Sequence, residues 1–177
     1  MGNFRFLWFL VATSSCLVMI DRHRTLILGI GNILLQDEGA GIHVIRHLAG
    51  LVAGRDDVAL MDGGTLSFSL AGAIEDAAQL IVIDAAQLDA ESGTTRVFEG
   101  EQMDAFVGSN RKCSVHEVGL IDLLTIARLT DRLPPRRALI GIQPQVVDWG
   151  ETPSPPVAAA IPVACNQALK LLKAWHP

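Results

Sequence analysis

Two carboxylates and one imidazole, Glu38, Asp84 and His116, carry the chemistry this chain can be expected to perform. Glu38 closes the Gln36-Asp37-Glu38 step after an apolar run at residues 25–30, and Asp84 ends the apolar run at residues 80–83. His116 stands just ahead of a helical pattern, and projection back along that helix turns it toward the apolar face. Two carboxylates and one imidazole make an incomplete, open coordination set, suited to a metal whose other ligands come from elsewhere. The same two carboxylates could instead work as an acid/base pair. Taken singly, each residue also has a plain structural reading. Glu38 suits a helix N-terminus, Asp84 a turn at a strand end, and His116 a cap.

Other groups compete less well. Gly29-Ile-Gly-Asn-Ile-Leu34 has Leu34 where a dinucleotide fingerprint needs its third glycine, and Asp62 runs straight into Gly63-Gly64, so nucleotide binding is not expected. His43 and His47 are spaced as a helical pair but fall opposite the Ile42, Ile45, Leu48 stripe, which reads as a solvated face. Asp37 reads as a turn residue. Cys113 lies close to His116 without a nucleophile turn, and Ser67 and Ser69 have no GxSxG context.

These residues need a frame to bring them together. Short apolar strands are expected at residues 25–30, 58–61, 80–83 and 138–142, with an alternating edge strand at 94–98. Residues 80–83 are apolar on both faces, as in a central parallel strand under helices. Helices are expected at 39–52, where Ile42, Ile45, Leu48 and Val52 form the buried stripe, at 68–76, at 117–129 and toward the C-terminus up to Trp175. Residues 100–114 read as a loop with room for a short helix at 103–106, and Pro153, Pro155 and Pro156 mark another loop. Strands alternating with helices predict a three-layer α/β fold around a mainly parallel sheet. In such sheets ligands bind beyond the carboxyl ends of the strands. Gln36-Asp37-Glu38, Asp62, Asp84 and Gln143 all fall on that edge.

Composition narrows the class. The chain has 177 residues, half of them hydrophobic and 19% charged, with a formal charge of −5. This balance favours one globular domain over disorder. The lack of a basic run argues against a nucleic-acid partner. Cys16, Cys113 and Cys165 are far apart and form no CxxC pair, which fits a reducing, cytoplasmic setting. Residues 1–22 read as an N-terminal extension, with translation starting at Met19 and a single domain over 23–177. The apolar stretch from Phe4 to Ile20 is short for a membrane span, so no stable membrane association is expected. An ordinary surface composition leaves a monomer as the default.

Taken together, the motifs resemble the hydrogenase maturation endopeptidase family. Leu28-Gly-Ile-Gly-Asn-Ile-Leu-Leu-Gln-Asp-Glu-Gly-Ala-Gly41 looks like its N-terminal signature. Asp62-Gly-Gly-Thr65, Leu80-Ile-Val-Ile-Asp84, Ser114-Val-His-Glu-Val-Gly119 and Gly141-Ile-Gln-Pro144 follow in the family's order. The resemblance implies a five-stranded twisted sheet between helices, with Glu38, Asp84 and His116 as metal ligands. It implies that Asp62 positions substrate or takes part in catalysis. The implied substrate is the large-subunit precursor of a nickel–iron hydrogenase, from which a C-terminal extension is removed after nickel insertion. The nickel would be carried by the precursor and not permanently bound. A non-catalytic nickel-dependent chaperone and a general metallopeptidase are the alternatives to this reading.

Overall fold

The structure, a computed structural model, describes residues 24–65, 67–109 and 119–176. The expectations for residues 1–22, Cys113 and His116 therefore lie outside the described residues. Five strands, β1 (Thr25–Gly29), β2 (Val58–Asp62), β3 (Gln79–Ala85), β4 (Thr95–Glu99) and β5 (Arg136–Ile142), form one sheet in the order β2-β1-β3-β5-β4. All neighbours are parallel except β4, which runs antiparallel to β5 at the edge. Among the described residues, five α-helices cover the faces: α1 (Ala40–Leu51), α2 (Ala71–Asp76), α3 (Glu101–Ser109), α4 (Leu120–Leu129) and α5 (Pro155–Trp175). This is the expected three-layer α/β arrangement.

The apolar pattern explains the layering. Side chains alternate across a strand, so β1 sends Ile27 to one face and Leu26 and Leu28 to the other, while β3 divides Ile81 and Ile83 from Leu80 and Val82. The Ile27 face packs against α1 and α5, and the Leu26 face against α2, α3 and α4. The stripe expected on α1 is buried, but Val44 joins it. A helix pressed on both sheet and α5 buries a wider arc than one lying on a sheet alone.

Several elements differ from the sequence expectation. β3 runs on through Asp84 to Ala85, because Asp84 pairs in register with Gly141 of β5 and the ladder is not broken by one polar side chain. Residues 101–109 form a full helix instead of a loop. Met103 is buried beneath it, Phe106 stacks on Phe98 at 4.1 Å, and Asp104 takes two hydrogen bonds from Arg137 of β5, at 2.9 and 2.6 Å. These tertiary contacts outweigh the weak amphipathic signal of the segment. α4 begins at Leu120, where the Gly119 N–H donates to the Asp122 carboxylate at 2.9 Å. Pro155 and Pro156 open α5 instead of ending a loop, since the first turn of a helix needs no partner for its N–H groups.

The order of the strands creates the cleft. The chain steps from β1 outward to β2 and then back across to β3, so the connections leaving β1 and β3 diverge between those two strands. Glycines let the first turn of α1 sit directly on this point. A Cβ on Gly41 would lie 2.2 Å from the Ile83 carbonyl oxygen and 2.3 Å from that of Ile30. At Gly31, with φ of +131°, a Cβ would come within 1.8 Å of the Glu38 carbonyl oxygen.

Asp37 locks the same corner from beneath. It is fully buried, where the sequence suggested an ordinary turn residue. Its carboxylate accepts the backbone N–H groups of Gln145 and Val146, both at 2.9 Å, and of Ser154 at 2.6 Å, as well as the Ser154 hydroxyl at 2.8 Å. Burial alone would raise its pKa, but the bonds from Val146, Ser154 and Gln145 prevail and hold it below the ordinary carboxylate range. The turn misreading has a clear cause: all four donors come from residues more than 100 positions away.

Gly41→Ala gains helix propensity of about 1 kcal/mol, yet the clash with two backbone carbonyls cannot be relieved by rotating a side chain. A net loss of about 1–3 kcal/mol is expected in urea unfolding. Gly50→Ala, on the same helix with open space around it, should instead stabilise by about 0.5–1 kcal/mol. Asp37→Asn turns an acceptor-only group into one that also donates, and should cost about 1–3 kcal/mol. The Asp37 contribution is present above the unfolded carboxylate pKa, about 3.9, and is lost as pH falls through the lower folded value. The gap between wild type and Asp37→Asn should therefore be full at pH 7 and close on acidification below pH of about 4, measured by urea midpoints across pH.

Candidate active site

Glu38 reaches the sheet edge through an unusual backbone step. Gln36 adopts a left-handed conformation with φ of +47°, rare for a residue with a side chain. Its N–H donates to the Gly150 carbonyl at 2.7 Å, and Gly150 donates in turn to Leu34 at 2.9 Å. This turn sends Asp37 inward and starts a short 3-10 helix, Gln36–Gly39, that leads directly into α1. Glu38 is half-buried, and its Oε2 is shielded from solvent.

Asp84 faces the same corner from the adjacent strand. Its pKa is pushed up to about 7, first by burial and further by the negative charge of Glu38, while a hydrogen bond from the Ala85 N–H opposes both. The two carboxylates thus sense each other electrostatically at the switch point of the sheet. A carboxyl group titrating near neutrality can hold or release a proton at working pH. The negative charge of Glu38 disfavours that of Asp84. The donor set therefore fits a metal ion brought to it, with charge and oxygen ligands of the right kind.

Asp62 ends β2 at the same edge, exposed, with its Oδ1 accepting the Gly64 N–H at 3.0 Å. The turn after it is stitched to the cleft. Gly63 N–H donates to the Gly29 carbonyl at 2.8 Å, and Gly31 N–H to that of Gly64 at 2.9 Å. Gln143, the fourth polar residue expected here, is buried and serves as a brace. Its Oε1 accepts the Leu88 N–H at 2.7 Å, and its Nε2 donates to Gln87 Oε1 at 3.0 Å. His116 belongs to residues 110–118, which join α3 to α4 and lie outside the described residues. Among the described residues, no three of His, Cys, Asp or Glu are grouped to hold a metal.

The remaining expectations divide. His47 is exposed as expected, but His43 is half-buried and its Nε2 is shielded. Burial and the nearby Arg46 charge lower its pKa. Its solvated reading is corrected: the His43 ring is partly withdrawn from solvent on a helix packed against the sheet and α5. Cys165 is buried, with its thiol pushed up to about 11, mainly by burial, which makes it inert as a nucleophile. No residue pattern around Gln36 points to its left-handed conformation. The Asp37 anchor and the loop at 145–150 that it holds were also not legible, because their partners are remote in sequence.

Comparison with known proteins agrees with this geometry. The family model described as hydrogenase maturation protease matches residues 42–171. The hydrogenase expression/formation protein HupD of Rhizobium leguminosarum bv. viciae is 37% identical over 153 residues, covering 86% of this chain and 75% of that protein. The hydrogenase 2 maturation protease of Escherichia coli is 33% identical over 151 residues, covering 85% and 91%. Among solved structures, the hydrogenase maturating endopeptidase HybD from E. coli superposes with a TM-score of 0.78 at 32% identity, over 85% of this chain and 93% of that one. The [NiFe] hydrogenase maturation protease HybD from Thermococcus kodakarensis gives a TM-score of 0.69 at 31% identity, over 84% and 98%. With a family model over residues 42–171 and relatives above 30% identity covered over most of their length, the chain belongs to the hydrogenase maturation protease family and is a peptidase.

Proposed function

We propose that this peptidase removes the C-terminal extension of a nickel–iron hydrogenase large-subunit precursor once nickel has been inserted. The observation that carries the reading is the Glu38–Asp84 pair, two carboxylates in electrostatic contact at the switch point with Asp84 pushed up to about 7. Nickel arrives as part of the substrate. Glu38, Asp84 and His116 would add their oxygen and nitrogen donors to the thiolates that the precursor already supplies, so a precursor lacking nickel offers no anchor. Ligation requires Asp84 in its deprotonated form, and the incoming positive charge favours that form by offsetting burial and the Glu38 charge.

Asp62 positions the peptide or activates the attacking water. Its exposed carboxylate, held by the Gly64 N–H, can accept a proton from water as that water adds to the scissile carbonyl. The proton can then pass to the departing amine, so the acid/base cycle closes on one side chain. Removal of the extension would let the large subunit close around its nickel–iron centre, which makes the peptidase an activator of its substrate. The well-separated cysteines fit an enzyme of a reducing compartment, the cytoplasm.

Electrophoretic mobility of purified precursor, with and without nickel, tests the reading. Shortening is expected only with nickel. Cleavage regardless of nickel would indicate a general metallopeptidase, and nickel-dependent binding without cleavage a chaperone. Glu38→Gln keeps the shape but removes a charged ligand, and should slow processing on the order of 100-fold or more. A normal rate for this variant would remove Glu38 from the ligand set. Asp62→Asn should lower kcat by about 100-fold while changing precursor affinity by no more than about threefold. Equal loss of both would make Asp62 a binding residue.

A further inference from the structure

Among the described residues, eight large hydrophobic side chains are exposed, and four of them, Leu34, Val146, Val147 and Trp149, come from two loops joined edge to edge. The joint is explicit. Leu35 and Gly150 form a parallel bridge, Gly150 N–H donates to Leu34, and Asp37 N–H donates to the Val146 carbonyl at 3.3 Å. The Asp37 carboxylate clamps the start of the second loop through Gln145 and Val146. Trp149 is 78% exposed and Leu34 45%. A flexible loop could fold such side chains away, but this one is held at both ends and keeps them in solvent.

This apolar shelf lies on the loop that leads into Glu38 and on the loop paired with it. Leu34 lies four residues before Glu38, and the residue between the shelf's clamp and Glu38 is none: Asp37 is its neighbour in the chain. Asp148 and Glu151, both exposed, flank Trp149 with negative charge. A fixed tryptophan in an apolar surface with a charged rim is the anatomy of a recognition site, since aromatic anchors dominate binding energy while rim charges select the partner.

We infer that the shelf of Leu34, Val146, Val147 and Trp149 docks an apolar segment of the precursor that carries a cationic side chain toward Asp148 and Glu151. The inference rests on the proposed processing of a large-subunit precursor. It adds a second point of contact, separate from the Glu38–Asp84 pair. The metal then reports that the substrate is ready, while the shelf reports which protein carries it. Two-point attachment also fixes the direction in which the chain crosses the site, because one contact sits on the loops after β1 and β5 and the other at the ends of β1 and β3.

The test combines Val147→Ser with Trp149→Ser, both at exposed positions where the fold should tolerate change. Steady-state processing of nickel-loaded precursor should show KM raised by about 10- to 30-fold with kcat within about twofold of wild type. Trp149→Phe should restore most of the affinity. Glu151→Gln should raise KM by about two- to fivefold at low salt, with the difference fading at high salt. Unchanged KM in the double variant would overturn the docking site while leaving nickel-dependent cleavage intact. If wild type binds the precursor without cutting it, the processing reading falls, and weaker binding by the double variant would still support the shelf. Absence of any precursor binding by wild type would overturn both. Sedimentation of wild type as a dimer that Trp149→Ser dissociates, with KM unaltered, would assign the shelf to a second copy of this chain and overturn the inference.

Discussion

The approach of α1 to the sheet edge without intervening side chains governs everything built on this chain. Gly41 lets the first helical turn rest on the carbonyls of Ile30 and Ile83, where any Cβ would collide with backbone. Gly31 does the same for the turn that precedes it, beneath the Glu38 carbonyl. A motif that resembles a nucleotide fingerprint therefore has a different purpose here. Its glycines bring a helix down onto the crevice, so that a carboxylate just ahead of the helix arrives next to one on the neighbouring strand. The distance between the layers, and not a phosphate, is what the glycines serve.

That close packing would be of little use if the loop before α1 could drift. Asp37 prevents this by joining three segments far apart in the chain: the loop after β1, the loop after β5 and the start of α5. A buried carboxylate is normally a burden, but one that accepts four hydrogen bonds becomes a fixed point. Consecutive residues thus divide the work. Asp37 gives its charge to the scaffold, whereas Glu38 stands half-buried at the sheet edge.

The legible part of the structure was the part written in local patterns. Alternation and helical spacing placed all five strands, and the position of polar residues at strand ends brought Glu38, Asp62, Asp84 and Gln143 to one edge. Periodicity could not show that Asp84 lies within a strand, since pairing with Gly141 extends β3 past its apolar run. Nor could it distinguish Asp37 from an ordinary turn residue, or Gln143, a brace, from a ligand-facing group. The helix at 101–109 was hidden for the same reason: it is held by Arg137 and Phe98, neither of which is local. What the sequence leaves unread is consistently a contact between segments far apart along the chain.

Electrostatics gives this arrangement its direction. Folding places Asp84 in a buried corner beside Glu38, and both influences oppose its charge. The glycine packing and the Asp37 anchor hold the backbone that carries Glu38 against the strand that carries Asp84. Cation binding there would reverse the sign of the local interaction, turning mutual repulsion into shared attraction. A site prepared in this way discriminates by charge as well as by shape: a neutral peptide can occupy the cleft but does nothing to relieve the pair. A positive centre brought by a substrate would relieve the pair, so under the proposed reading this corner favours a partner that carries a metal.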